Sequence, residues 1–148
     1  MHKRKSFFTY IASCILYWSA NVLSQASNLR LDVEVSGAAP ERGQIICSLF
    51  NSKKTFLDQP VLQVTHAVDE AGRVLCRFEK LSSGDYAVSA IYDKDSNGIL
   101  NTGLFGIPAE PVGISNNPKS RLGPPSYRKA VFSLQESESI EINLVDAN

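Results

Sequence analysis

From Leu29 onward the chain repeats with a period of two: Leu29, Leu31, Val33 and Val35 alternate with Arg30, Asp32 and Glu34. Successive side chains of a strand point to opposite faces, so this alternation describes a strand with one face in a core and the other in water. No later segment sustains a helical period, and turn signals recur. The stretch Gly37-Ala38-Ala39-Pro40-Glu41-Arg42-Gly43 breaks the chain, Asp69-Glu70-Ala71-Gly72 and Leu81-Ser82-Ser83-Gly84 are turns, and Gln135-Glu136-Ser137-Glu138-Ser139 is a solvated one. Further strands are predicted over residues 44–50, 61–68, 73–78, 86–92, 128–134 and 140–145, while 51–60 is a polar connection with room for one helical turn around Phe56 and Leu57. About seven short strands of this kind predict an all-β fold, an antiparallel β-sandwich. One long ordered loop, 93–126, interrupts the pattern.

With 148 residues, 43% of them hydrophobic, the chain can bury the core of a single domain and is too apolar for a disordered tail. Fifteen basic side chains balance fifteen acidic ones, which argues against a nucleic-acid partner, since that needs a net basic face. The amino terminus reads as a secretory signal over residues 1–26: a basic cluster at Lys3, Arg4 and Lys5, an apolar run, and the small residues Ser24 and Ala26 flanking Gln25 before a cut after Ala26. The working domain is then 27–148, exported to the periplasm or beyond, 122 residues with twelve basic and fifteen acidic side chains. Ser, Thr and Asn interrupt the apolar run, which falls short of the roughly 20 apolar residues of a spanning helix, and the mature chain carries no stable membrane span. A competing route is lipoprotein processing at Cys14, where Ile11-Ala12-Ser13-Cys14 resembles a lipobox.

Two cysteines remain after cleavage. Cys47 alternates with Ile45 and Leu49, and Cys76 with Val74 and Phe78, so both thiols belong to inward faces. In an oxidising compartment they either pair or serve as small hydrophobes, and an even count favours the disulfide Cys47–Cys76.

The segment Asp93-Lys94-Asp95-Ser96-Asn97-Gly98-Ile99-Leu100-Asn101 places oxygen-bearing side chains at its first, third, fifth and ninth positions, with glycine at the sixth. That is the order of a calcium loop, in which alternate residues converge on one cation and a glycine permits the bend. Asp93, Asp95, Asn97 and Asn101 are therefore candidate calcium ligands. The loop lacks the closing glutamate, having Leu104 at the twelfth position, and Glu110 could replace it only if the chain folds back. The alternative is a metal-free hairpin, for which Asn97-Gly98 is a strong signal. Zinc and iron are disfavoured because no thiolates or histidines cluster here. Beside this loop, Glu110, Ser115 and Asn116 are candidate ligand-binding groups; the competing reading has Ser115, Asn116 and Asn117 bonding backbone in Asx-type turns, while Phe105, Ile107 and Ile114 tuck the loop onto the sandwich.

The pattern Leu81-Ser82-Ser83-Gly84-Asp85-Tyr86-Ala87-Val88 looks like the turn-and-strand element of transthyretin-like and carboxypeptidase-regulatory-like sandwiches. Taken with DKDSNGILNTGLFGIPAEPVGISNN and GPPSYRKAVFSL, it resembles the bacterial secreted family known as domain of unknown function 2141. The resemblance spans nearly the whole mature chain and implies export, one small domain, and an immunoglobulin-like or transthyretin-like sandwich. It implies no activity. The chain departs from that pattern at Asn101, where an aspartate is usual, and at Pro111, Val112 and Ile114, where glycine and aromatic residues are usual. These changes remove a charge from the loop and weaken an aromatic carbohydrate platform.

Enzymes built on related sandwiches need more histidines than the single His66 of the mature chain, and Tyr127-Arg128 runs into Lys129-Ala130 rather than the carboxy-terminal Tyr-Arg-Gly-Ser of a transthyretin-like hydrolase. Ser115, His66 and Asp95 could be drawn as a triad, but no nucleophile elbow supports it. His66, between Val64 and Val68, reads as a partly buried structural histidine. The reading is of a non-enzymatic binding or envelope-associated module, its partner a small ligand or another envelope component. The alternative is a metal-dependent hydrolase or lyase using Asp93, Asp95 and Glu110.

Overall fold

A computed structural model describes residues 28–103, 108–119 and 123–146. The signal segment and Cys14 lie outside the described residues, as do Phe105 and Ile107. Eight strands and one helical turn follow in the order β1 (Leu29–Ser36), β2 (Gln44–Phe50), β3 (Leu62–Ala67), β4 (Arg73–Leu81), β5 (Gly84–Asp93), β6 (Val112–Ile114), α1 (Tyr127–Ala130), β7 (Phe132–Leu134) and β8 (Glu138–Asn143). They form two sheets, β4-β1-β8 and β3-β2-β5-β6, with β7 also paired to β5. This is the expected all-β sandwich.

The alternation in β1 does what a half-buried strand requires: Leu31, Val33 and Val35 are buried while Arg30 and Glu34 are not. They face Ile45, Cys47, Leu49, Val88, Ala90 and Tyr92 of β2 and β5 across one core. The disulfide Cys47–Cys76 ties β2 of one sheet to β4 of the other, with Cα atoms 6.4 Å apart and neither cysteine exposed. β2 and β5 are buried on both faces. Their outer side is covered by the 51–60 connection and by α1, through edge-on contacts of Phe56 with Phe50 and Tyr127 and a small cluster of Ala87, Ile114 and Ala130. The 51–60 connection makes a turn closed by Gln59 N–H donating to Thr55 O, in place of a full helical element.

Several sequence expectations are corrected. β4 runs on to Leu81 because a bulge shifts its phase: Leu29 pairs with Leu81 but Leu31 with Phe78, Lys80 takes φ 58°, and Leu81 turns inward. The sheets are not wholly antiparallel, since β8 lies parallel to β1 from Leu31–Glu138 to Ser36–Asn143. The short link after β7 carries the chain from one sheet to the other, so β8 joins β1 rather than its sequence neighbour. The strand expected at 128–134 is α1 followed by β7. Tyr127, Ala130, Val131 and Leu134 fit a helical spacing, while Ala130, Phe132 and Leu134 fit an alternating one, and the packing of Tyr127 and Ala130 on the outer cluster decides for the turn. β6 lies inside the segment expected to be irregular. His66 is exposed, because β3 is an edge strand with nearly all of its side chains in solvent.

The two sheets meet closely where β6 passes β8. Val112 and Val145 exchange backbone hydrogen bonds, and a Cβ on Gly113 would collide with Ile142. The disulfide closes the sandwich elsewhere, joining residues 29 apart in sequence. Cross-linking a loop of that length stabilises a fold by about 3.5 kcal/mol through the unfolded chain. Urea unfolding with and without reductant is expected to differ by about that amount, and the Cys47→Ser, Cys76→Ser double variant to match the reduced protein.

Candidate metal centre

The acidic loop is built by strand register. β5 and β6 pair antiparallel through Ser89–Ile114, Ala90–Gly113 and Ile91–Val112. Continued two residues further, this register sets Glu110 opposite Asp93, and the hydrogen bond from Tyr92 N–H to Pro111 O holds the strands together up to that point. The fold-back that the loop needs is thus supplied by the sheet. It is extended by a bridge between Thr102 and Pro108 and by Ala109 N–H donating to Asn101 O.

Within the loop each carboxylate receives donors that fix its position. Asp93 Oδ2 accepts from Gln44 Nε2 at 2.7 Å and from Gly98 N–H at 2.8 Å, while Oδ1 accepts from Asn97 N–H at 3.1 Å. Gly98 has φ 83°, a conformation that costs little only for glycine. Glu110 straddles the loop, Oε1 accepting from Lys94 N–H at 2.9 Å and Oε2 from Asn101 N–H at 3.0 Å. Asp95 Oδ2 accepts from the side-chain amides of Asn97 and Asn101 at 3.0 and 3.2 Å. Turning either amide by 180° would present its oxygen where its nitrogen now lies.

Asp93, Asp95 and Glu110 each offer an oxygen within 4.8 Å of the others, and Asp93 and Glu110 are buried. Oxygens bound to one calcium at about 2.4 Å are separated by no more than about 4.8 Å. Like charges are thus gathered in one loop, and each carboxylate is held there by the hydrogen bonds it accepts. The ion pairs among the described residues are Arg30–Asp32, Arg77–Asp32 and Arg73–Asp69, so no described basic side chain forms an ion pair with the cluster. Burial pushes the Asp93 carboxyl up, but hydrogen bonds from Gln44, Gly98 and Asn97 and one shared with Asp95 outweigh it and hold the group below its ordinary value.

Asp93, Asp95, Asn97, Asn101 and Glu110 therefore come together in one loop, and Gln44 joins them from β2 without any signal in its own sequence neighbourhood. Ser115 and Asn116 do not join them. Ser115 is fully buried, accepts from Val88 N–H at 2.9 Å and donates to Ala130 O at 2.7 Å, bridging the gap between β6 and α1 along β5. The Asn116 side chain donates to Lys129 O and Val131 O, and Asn117 clasps β8 through Glu141 O and Asn143 N–H. These are bonds to backbone, but across elements rather than within Asx turns. The Ser115, His66, Asp95 triad does not form: β3 and β6 are three strands apart in the sheet, about 14 Å, and the Ser115 hydroxyl is already engaged.

A family model described as an uncharacterized protein conserved in bacteria (DUF2141) matches residues 33–142, from β1 to β8. The chain belongs to this family. No curated protein and no solved structure matches it. In this member of the DUF2141 family the match takes in both halves of the acidic cluster, the loop that begins at Asp93 and the returning Glu110. The Asn101 side-chain amide hydrogen-bonds Asp95 and so joins the cluster without adding a charge.

Because the folded Asp93 carboxyl is held below its unfolded value near 3.8, its contribution to stability is complete above that pH and is lost as pH falls through the folded value. Urea unfolding in metal-free buffer is expected to show a stability loss below about pH 4 that Asp93→Asn reduces. At neutral pH the same substitution should cost about 1 to 3 kcal/mol, since Gln44, Gly98 and Asn97 lose charge-assisted bonds.

Proposed function

We propose that this DUF2141 member is an exported, non-enzymatic β-sandwich module whose 93–110 loop binds calcium and so stiffens the end of the domain that meets a small ligand or an envelope component. The observation that carries the calcium reading is the convergence of Asp93, Asp95 and Glu110, two of them buried, with no basic side chain paired to them among the described residues. Asn97 and Asn101 would complete an all-oxygen set, the donor chemistry that a hard cation prefers over zinc or iron. Export is supported by the signal-like amino terminus and by a buried disulfide, a bond that persists in oxidising compartments. Among the described residues no helix is long and apolar enough to cross a membrane. The non-enzymatic reading rests on the side chains: Ser115 is sealed by its own hydrogen bonds, and His66 stands on the opposite edge of the sheet from the carboxylates.

Three carboxylates and two amides predict an affinity of about 10⁻⁴ to 10⁻³ M, the range of extracellular modules. Calcium at about 10 mM should then stabilise the protein by about 1.4 to 2.7 kcal/mol. That corresponds to a rise in Tm of about 5 to 10 °C over the chelated protein. Glu110→Gln should abolish most of the rise, and absence of any rise in the unsubstituted protein would return the loop to a metal-free hairpin.

A further inference from the structure

We propose that a second site, on the other side of β5 from the carboxylates, binds the oxyanion group of a small molecule, a carboxylate or a phosphate. It is a cleft of about 520 Å³ at the end of the sandwich, lined by Ala39, Arg42, Gly43, Tyr92 and Lys94.

Tyr92 is the feature that marks it. The ring belongs to the core and is only 3% exposed, and a Cβ built on Gly43 would lie 3.0 Å from Tyr92 Cε2, which sets the tip of the ring at the floor of the cleft. The other core tyrosine, Tyr86, donates its hydroxyl to Ser82 O at 3.1 Å. The Tyr92 hydroxyl has no such partner among the described residues. Among the described residues no fully enclosed side-chain polar atom lacks a partner, so this hydroxyl opens to solvent, and the cleft is the opening that Tyr92 lines. A tyrosine buried to this degree usually satisfies its hydroxyl, and one left open is a donor ready for a bound group.

The two basic residues supply the charge. Lys94 Nζ lies 5.8 Å from the centroid of the Tyr92 ring, which draws the ammonium toward the cleft. Arg42 is exposed and forms no ion pair, although the chain's other described arginines on β1 and β4 pair with Asp32 and Asp69. A guanidinium, an ammonium and a phenol hydroxyl are all donors, and together they match the acceptor oxygens of an oxyanion. The carboxylates are turned to the other face of the sheet. Cross-strand partners share a face, and Asp93, Gln44 and Glu110 lie on the outer face of the sheet, whereas Tyr92 lies on the inner one.

The proposal is tested on the purified protein by following its amide resonances during titration with inorganic phosphate and with acetate, in chelator and again with calcium, using sodium chloride as the ionic-strength control. Saturable shifts at Arg42, Gly43 and Lys94 with at least one oxyanion are expected, and the anion that binds more tightly identifies the group recognised. Arg42→Ala should weaken binding about tenfold and Tyr92→Phe about threefold, the loss of a charged and of a neutral hydrogen bond. Shifts that sodium chloride reproduces, or an affinity that Arg42→Ala leaves unchanged, would overturn the site. Binding in chelator separates the proposal from the calcium reading, because it survives there even if the acidic loop takes no metal.

Discussion

β5 is hydrogen-bonded along both of its edges, and the rest of the molecule takes its positions from that strand. One edge pairs with β2 over seven residues, from Gln44–Asp93 to Phe50–Ala87. The other is shared by two short strands, β7 near its start and β6 near its end. The gap between them is spanned by Ser115, which pairs with Val88 using its backbone N–H and its hydroxyl in place of a carbonyl. A strand buried on both faces can leave no backbone group unpaired without cost, so the 93–126 segment is required to return to it. The acidic site is a consequence of that return. The residues that hold the loop ends together belong to the sheet, which is why Asp93 and Glu110 can be brought together although like charges repel.

The parts of this fold that are legible in the sequence are those in which a local period coincides with burial. β1 follows the alternation closely, and the inward phase of Cys47 and Cys76 leads directly to the inter-sheet disulfide. The remaining elements depend on partners that no local pattern records. The bulge at Lys80 erases the alternation just where β4 continues. β6 is three residues, Val112, Gly113 and Ile114, and exists because β5 offers it an edge and because Gly113 leaves room for Ile142. The parallel pairing of β8 with β1 has no signature in either strand. The site divides in the same way. The order of Asp93, Asp95, Asn97, Gly98 and Asn101 is visible as a loop motif, while the closing role of Glu110 needs the β5–β6 register, and the roles of Ser115 and Asn116 emerge only when α1 is placed beside them.

The alternation that specifies the sheet also sorts its charge. Along β5 the even positions Tyr86, Val88, Ala90 and Tyr92 face the core and the odd positions face outward, and the rule reaches the last strand residue, Asp93, which bonds Gln44 on the outer face. Beyond the strand the chain bends into the loop, yet the Lys94 ammonium still lies toward the Tyr92 ring while Asp95 stays with Asp93 and Glu110. Consecutive residues of opposite charge therefore serve opposite sides of one backbone instead of neutralising each other. An ion pair between Lys94 and either neighbouring aspartate would have cancelled both features at once. Because β5 is held on both edges, this separation is enforced by the sheet, and an acidic cluster and a basic cleft can persist within a few residues of each other on a chain whose total charge is zero.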